Sequence, residues 1–471
     1  MSAPAPERRQ RSYGSAARIL SIGIASTGLL TFAYFSIASH VLGEQPAKRI
    51  DLLWSVMFVI ISVIYRPIEQ LLSRTIAERR ARGQGSHTLR VPILIQAGFA
   101  LAFLVIALSL HDTLVNDVFE HQQALYVVLV LGTLAYAASY FARGWLAGHQ
   151  RFGLFGGLVL MESVSRISFA IAVAIGIASG QTAVALGIAA APFVSLVVVP
   201  AAFARRHTEH EHGEEESGGG HEVALEAAIT VDEADAALAG PGTEGVQESA
   251  AHGEGLSLRR GAGFAFSVSG IMLSEQTILN AAVLTVDATS SNHALAGIVF
   301  NVLLIARAPL QLFQAIQTSL LPHLTGLEAT EGHDAFARAV RITVLAITAF
   351  AAAVTLGLLA IGPFVMTHVF GQHYPYGRLG LALIGLGMGL HLISGALNQS
   401  ALARGRAGAA AACWALAAAL FLAWMFIPAV SDQLLRTEIG YTGATAVLTV
   451  ALATLYRRGT RPQSASTDRA I

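Results

Sequence analysis

Six charged side chains stand well inside long apolar stretches of this chain: Arg66, Glu69, Glu162, Arg166, Glu275 and Arg307. A cation at membrane depth costs from about 3 to more than 10 kcal/mol, so such residues face a bundle interior or a wet cavity rather than lipid. Glu69 follows Arg66 by three positions and Glu162 precedes Arg166 by four. At those spacings each pair shares one helix face, where opposite charges neutralise each other. Glu275, beside Gln276 and Asn280, has no such partner, and neither has Arg307. Two chemistries stay open for them. They pair with each other across neighbouring helices, or Arg307 holds an anion while Glu275 carries a proton or sodium ion. Arginine presents a rigid fork of donors that matches phosphate oxygens, which suits a pyrophosphate headgroup. Asn301, Gln311, Gln314 and Gln317 lie on the same stretch as Arg307. Amides facing lipid would be expensive, so a water-filled groove able to wet sugar hydroxyls is their expected setting.

The elements that must position these residues are membrane helices. The chain has 471 residues, 54% hydrophobic and 13% charged, with positive mean hydropathy. A soluble protein carries about a quarter charged residues, so the composition predicts an all-α, polytopic membrane protein. Apolar stretches fall near 17–39, 52–74, 91–110, 124–142, 154–178, 182–203, 262–286, 294–320, 340–362, 378–400, 408–428 and 439–456, which makes about twelve transmembrane helices. Net charge is zero, and no basic field points to nucleic acid. Cys413 is alone and reads as an apolar filler, excluding an intramolecular disulfide or a CxxC metal site. No His-Glu-x-x-His, Gly-x-Ser-x-Gly or Walker A pattern occurs, so neither an enzyme nor a cofactor or metal site is expected, and energy must come from a gradient.

The stretches divide into two related halves. Tyr65-Arg66-Pro67-Ile68-Glu69-Gln70 in the second stretch matches Ala306-Arg307-Ala308-Pro309-Leu310-Gln311 in the eighth, with one residue inserted. A weaker match sets Arg143-Gly144-Trp145-Leu146-Ala147-Gly148 beside Gln399-Ser400-Ala401-Leu402-Ala403-Arg404. Both run in the same helix order, predicting parallel six-helix repeats with a site at their interface. Each proline is expected to kink its helix beside the arginine. The domain boundaries follow: a tail over 1–16, a first bundle over 17–204, a linker over 205–258, a second bundle over 259–456 and a tail over 457–471. The linker is rich in Glu, Gly and Ala and reads as a disordered, solvated tract. Its His207, His210, His212 and His221 lack the rigid frame a metal site needs. Arginines crowd the termini and alternate loops, among them Arg74, Arg79, Arg80, Arg143, Arg404, Arg406 and Arg457. By the positive-inside rule both termini are cytoplasmic.

Twelve stretches in two halves, together with Arg143-Gly144-Trp145-Leu146-Ala147-Gly148-His149-Gln150-Arg151-Phe152 after the fourth, resemble a known family. Phe370-Gly371-Gln372-His373-Tyr374 and Leu397-Asn398-Gln399-Ser400-Ala401-Leu402-Ala403-Arg404-Gly405 around the tenth are similar too. The likeness is to polysaccharide-export flippases of the multidrug/oligosaccharidyl-lipid/polysaccharide (MOP) exporter superfamily. It implies a bacterial plasma-membrane protein that moves a polyprenyl-pyrophosphate-linked glycan between leaflets by alternating access. Its partners would be membrane lipids and the glycosyltransferases or polymerases of the same pathway, with proton or sodium coupling open. The resemblance implies pyrophosphate contacts for Arg307, Arg66 and Arg166. The polar cavity and ion-coupling candidates are Glu275, Glu69, Glu162, Asn280, Gln311 and Gln314. The alternatives are an ion-coupled multidrug or metabolite antiporter of the same fold and a non-transporting subunit of an envelope-synthesis complex.

Overall fold

The structure is a computed structural model; it describes residues 26–31, 33–38, 40–42, 44–83, 89–197, 257–289, 294–330, 332–370 and 377–458. The linker expected over 205–258 and the two tails fall almost wholly outside these residues, as do His207, His210, His212 and His221. The described residues are helical, without a strand. In chain order the first half contains α1 (Ser26–Leu42), α2 (Glu44–Ile64), α3 (Arg66–Ala81), α4 (Arg90–Ser109), α5 (Gln123–Gly148), α6 (Phe152–Ala174) and α7 (Gly180–Ser195). The second half contains α8 (Leu258–Thr289), α9 (Ala294–Thr330), α10 (Gly332–Phe370), α11 (Arg378–Ala403), α12 (Ala407–Phe426) and α13 (Gln433–Arg458).

Seven of these are long and apolar enough to cross a membrane by themselves: α4, α5, α6, α10, α11, α12 and α13. The second predicted stretch is divided between α2 and α3, because the helix is interrupted at Tyr65 and restarts with Pro67 in its first turn. Pro67 has no N–H, so the Val63 carbonyl loses its donor, while at the new N-terminus the missing N–H costs nothing. Pro309 behaves differently. It lies inside an unbroken α9 of 37 residues, about 55 Å at 1.5 Å per residue and well beyond a hydrocarbon core of about 30 Å. α9 is thus longer than a single untilted crossing needs, and α10 begins at Gly332, whose φ of +78° favours glycine.

Two large apolar cores result, beside a small third cluster of Leu146, Ala147, Phe152, Phe155 and Leu158 at the junction of α5 and α6. One is built from α1, α2 and α4 to α7, with Tyr34, Leu53, Met57, Leu129 and Ile188 buried together. The other runs from Phe264 to Leu452 and takes in Ile68 and Leu71 of α3 and Ile95 of α4. Thus α3, which follows the proline break, packs across onto α8 and α9. Corresponding helices pair alike: α3 with α5 as α9 with α11, α5 with α7 as α11 with α13, and α6 with α7 as α12 with α13.

Close approaches hold the two central pairs. A methyl at Gly144 would stand 2.8 Å from the Glu69 carbonyl oxygen, and one at Gly148 would stand 2.7 Å from Cβ of Ile76. These glycines, four residues apart on one face of α5, let its backbone lie against α3. At the matching crossing, Gly395 of α11 faces Gln317 and Phe313 of α9.

Candidate functional site

Between the halves, α3 and α9 face each other across a narrow polar cleft of about 10 Å³, room for about one water, lined by Arg66, Glu69, Gln70, Ser73, Gln317, Thr318 and Leu321. The spacing of the four α3 residues, at i, i+3, i+4 and i+7, puts them on one helical face. Burial of that face follows from the glycine contacts of α5 behind it. Arg66 is half-buried, and among the described residues its side chain makes no ion pair or hydrogen bond. Among the described residues Glu69 is buried without an ion pair of its own, and the charges that reach it are those of Arg143, Arg66 and Glu162. Gln70 keeps a buried Oε1 with no donor. The cleft therefore presents a free guanidinium, a carboxylate, two amides and two hydroxyls to whatever enters it.

The expected helix-face pairs do not form. Arg66 and Glu69 share a face and both line the cleft, but they do not approach within ion-pair distance. Glu162 is engaged by Arg143 of α5, by Ser139, and by Ser195 at 3.4 Å. Arg166 instead donates to Thr31 at 3.2 Å and lies over the Trp54 ring at 4.2 Å. Neither Glu162 nor Arg166 lines the cleft. Arg143 displaces the local partner because the tight turn between α5 and α6 brings the two helices alongside, and a buried carboxylate gains more from a guanidinium plus hydroxyl donors than from a guanidinium alone. Its second support is the Tyr140 ring, 4.5 Å below the guanidinium.

In the second half Glu275 meets a histidine. Nε2 of His391 lies 3.5 Å from Oε1 of Glu275, at ion-pair distance but without hydrogen-bond alignment. Nδ1 of the same ring faces the Tyr441 hydroxyl at 3.3 Å, and Trp414 packs edge-on against it. Asn280 bonds back to Gln276, at 2.8 Å to the backbone carbonyl and 3.1 Å to the side chain. The side chains of Arg307, Asn301, Gln311 and Gln314 lie outside the described residues. Sequence reasoning passed over Arg143 and His391. Arg143 sits at the end of its stretch and looked like a loop cation. His391 is the one described histidine in the middle of α11, and an inventory that counts histidine among the charged groups finds it.

No protein-family model matches this sequence, and no curated protein matches it. Solved structures do. A MATE transporter in its bent conformation aligns with a TM-score of 0.73 at 12% identity, over 96% of this chain and 95% of that one. A mutant of the Vibrio cholerae MATE transporter VcmN gives 0.70 at 15% identity, over 96% and 99%. A MOP superfamily transporter from Pyrococcus furiosus, described as having a binding pocket of reverse polarity that suggests a different function, gives 0.68 at 12% identity over 95% of each chain. The fold is thus that of MATE transporters, and the chain is a multi-pass membrane protein.

Proposed function

We propose that this chain is a MOP-type transporter whose substrate is a polyprenyl-pyrophosphate-linked glycan, carried from the inner to the outer leaflet by alternating access of its two six-helix halves. The observation that carries the reading is Arg66: a guanidinium without an ion-pair partner among the described residues, in a polar cleft between the halves. A cation kept unpaired at membrane depth is retained for an anion that comes and goes. Gln70, Ser73, Gln317 and Thr318 beside it supply donors and acceptors for sugar hydroxyls. Arg307 would approach the same anion from α9, and Glu275 would carry the coupling ion. Arg166, held by Thr31 and Trp54, is then a structural cation of the first half. The arginine-rich ends, where Arg404 pairs with Glu328 and Arg406 donates to the Leu455 carbonyl, support cytoplasmic termini in a bacterial plasma membrane. Glycosyltransferases or polymerases of the same pathway would be its partners.

One observation favours a second reading. Glu69 stands in the same cleft, so an ion-coupled exporter of organic cations would use the carboxylate where the flippase uses the arginine. The discriminating experiment is leaflet-specific labelling of lipid-linked glycan in cells carrying Arg66→Gln or Glu69→Gln. The flippase reading expects Arg66→Gln to abolish outer-leaflet glycan and Glu69→Gln to leave most of it. Undiminished glycan with Arg66→Gln, together with loss of cation efflux in Glu69→Gln, would replace the first reading by the second.

A further inference from the structure

Arg74 sits where the two halves meet at the arginine-rich end of the bundle, about two turns beyond Arg66 on α3. Its guanidinium lies 5.3 Å from the centre of the Phe264 ring, which α8 brings from the second half. Nη2 stands 3.4 Å from the point a Cβ on Gly405 would occupy, in the turn between α11 and α12. Both of those helices are long enough to cross a membrane, so the turn between them marks the bilayer surface. Among the described residues Arg74 makes no hydrogen bond or ion pair, and its Nε is buried without an acceptor. The acids nearby are already taken. Glu78, one turn on, is held by Arg82 at 2.8 Å, and Glu328 of α9 by Arg404 at 3.3 Å. α11 and α12 carry no acidic residue, and Glu275 of α8 lies about three turns beyond Phe264. Arg406 gives a donor to the Leu455 carbonyl, which is neutral. The seam is therefore left with cations in excess, and Gly405, exposed and without a side chain, leaves the Nη2 side of Arg74 open.

We infer that Arg74 binds the phosphate of an acidic phospholipid from the adjoining leaflet, at the seam between the two halves. The Nη groups of an arginine can meet two oxygens of one phosphate, a bidentate match that a lysine lacks. At the bilayer surface the phosphates of lipid headgroups are the anions at hand, and clustered arginines attract acidic lipids above all. The first half contributes the arginine and the second the turn at Gly405, so a lipid held on both favours the arrangement in which they meet. This lipid site is independent of the substrate read into the cleft.

Native mass spectrometry of the full chain, released from detergent with phosphatidylglycerol or phosphatidylcholine, tests the site. Wild type is expected to retain phosphatidylglycerol in preference to phosphatidylcholine. Arg74→Gln is expected to weaken that retention about fivefold, the worth of one arginine near an acidic membrane surface. Arg74→Lys keeps the charge without the planar fork and should fall between the two. Arg341→Gln removes an exposed cation from α10, which packs on α9 and α11 of its own half, and should change retention little. Equal losses in Arg74→Gln and Arg341→Gln would reveal only a general attraction to a basic surface and overturn the site. Unchanged retention in Arg74→Gln, or no preference between the lipids in wild type, would overturn it as well. Displacement of phosphatidylglycerol by millimolar inorganic phosphate would overturn the lipid as the source and give the site to a free anion. If Arg74→Gln does not fold, Arg74→Lys decides alone, and retention equal to wild type refutes the bidentate contact.

Discussion

In the first half the buried carboxylate of Glu162 is held by Arg143, with Ser139 and Ser195 completing its shell. In the second half the buried carboxylate of Glu275 faces His391, whose other nitrogen meets Tyr441. A guanidinium does not lose its proton in a protein, whereas an imidazole changes charge between about pH 5 and 8. The first network therefore holds a permanent cation, and the second a ring whose charge is not permanent. Packing follows the same division. α4 stands away from most of its own bundle and reaches α8 through the Phe99–Phe266 ring contact, while α10 lies along α11 with Gly385 and Gly389 against Thr355 and Ala351. Related halves of one fold thus hold their buried carboxylates differently, by a permanent cation in one and beside an imidazole set among aromatic rings in the other.

The comparison is broken most directly by neutralising each carboxylate. Glu162→Gln leaves Arg143 buried without its counter-charge and is expected to lower unfolding stability by about 3–5 kcal/mol, the cost of removing one partner from a buried ion pair. Glu275→Gln leaves a neutral amide beside the His391 ring, and a loss of about 1 kcal/mol is expected, the ordinary cost of a point substitution. Thermal unfolding of the two variants in detergent measures the contrast. Equal losses would mean that the two networks are equally fixed.

The helix crossings give the next largest effect. Gly144→Ala would bring a methyl to 2.8 Å from the Glu69 carbonyl oxygen and 2.9 Å from its Cα, backbone atoms that cannot turn aside. A loss of about 1–3 kcal/mol is expected from such overpacking. Gly395→Ala meets Nε2 of Gln317 at 2.6 Å and the Phe313 ring at 2.8 Å, both side chains that can rotate. Its loss should fall below that of Gly144→Ala in the same unfolding assay. The reverse order would move the rigid crossing to the second half.

Much of this was open to reading in the sequence, for physical reasons that also mark where reading stopped. Arg66, Glu69 and Glu162 announced themselves because a charge in an apolar stretch has few tolerable places. Their partners did not, since Arg143 reaches Glu162 across two helices and no spacing along the chain encodes that crossing. The duplicated arginine–proline element predicted two kinks and produced one break. Proline removes the same backbone bond in both, but neighbouring helices can hold an interior proline in line, and α9 is gripped by α11 at Gly395 and by α3 across the cleft. Histidine carries no formal charge in a simple inventory, which is why the partner of Glu275 was the residue missed.

The stacking of Arg166 offers a smaller test of the fixed half. Trp54→Leu removes the indole face 4.2 Å from the guanidinium while keeping an apolar side chain. A desolvated cation–π contact is worth about 1–2 kcal/mol, and thermal unfolding should fall accordingly, with Trp54→Phe recovering part of the loss. If Trp54→Leu costs nothing, Thr31 alone holds Arg166 and the guanidinium is free to turn toward the cleft.

The smallest change in stability is expected from Pro67→Ala, and it asks what sets the break in the first half. Pro67 occupies the first turn of α3, where an N–H has no intrahelical acceptor, so restoring one should alter stability by less than about 1 kcal/mol. The break has other causes: Tyr65 packs against Tyr140 of α5, and Gly144 fits the backbone of Glu69. Those contacts need α3 where it is, and they would have to be lost for α2 and α3 to fuse. Spin labels at Leu52 and Arg82, both exposed, report the outcome by their separation, since a straight helix would set those positions about 45 Å apart. An unchanged distance in Pro67→Ala, with Cys413 replaced by alanine, is the expected result, because packing on α5 over-determines the bend. A lengthening toward the straight-helix value would make proline its cause, and the first half would then be held rigid by its backbone rather than by its contacts.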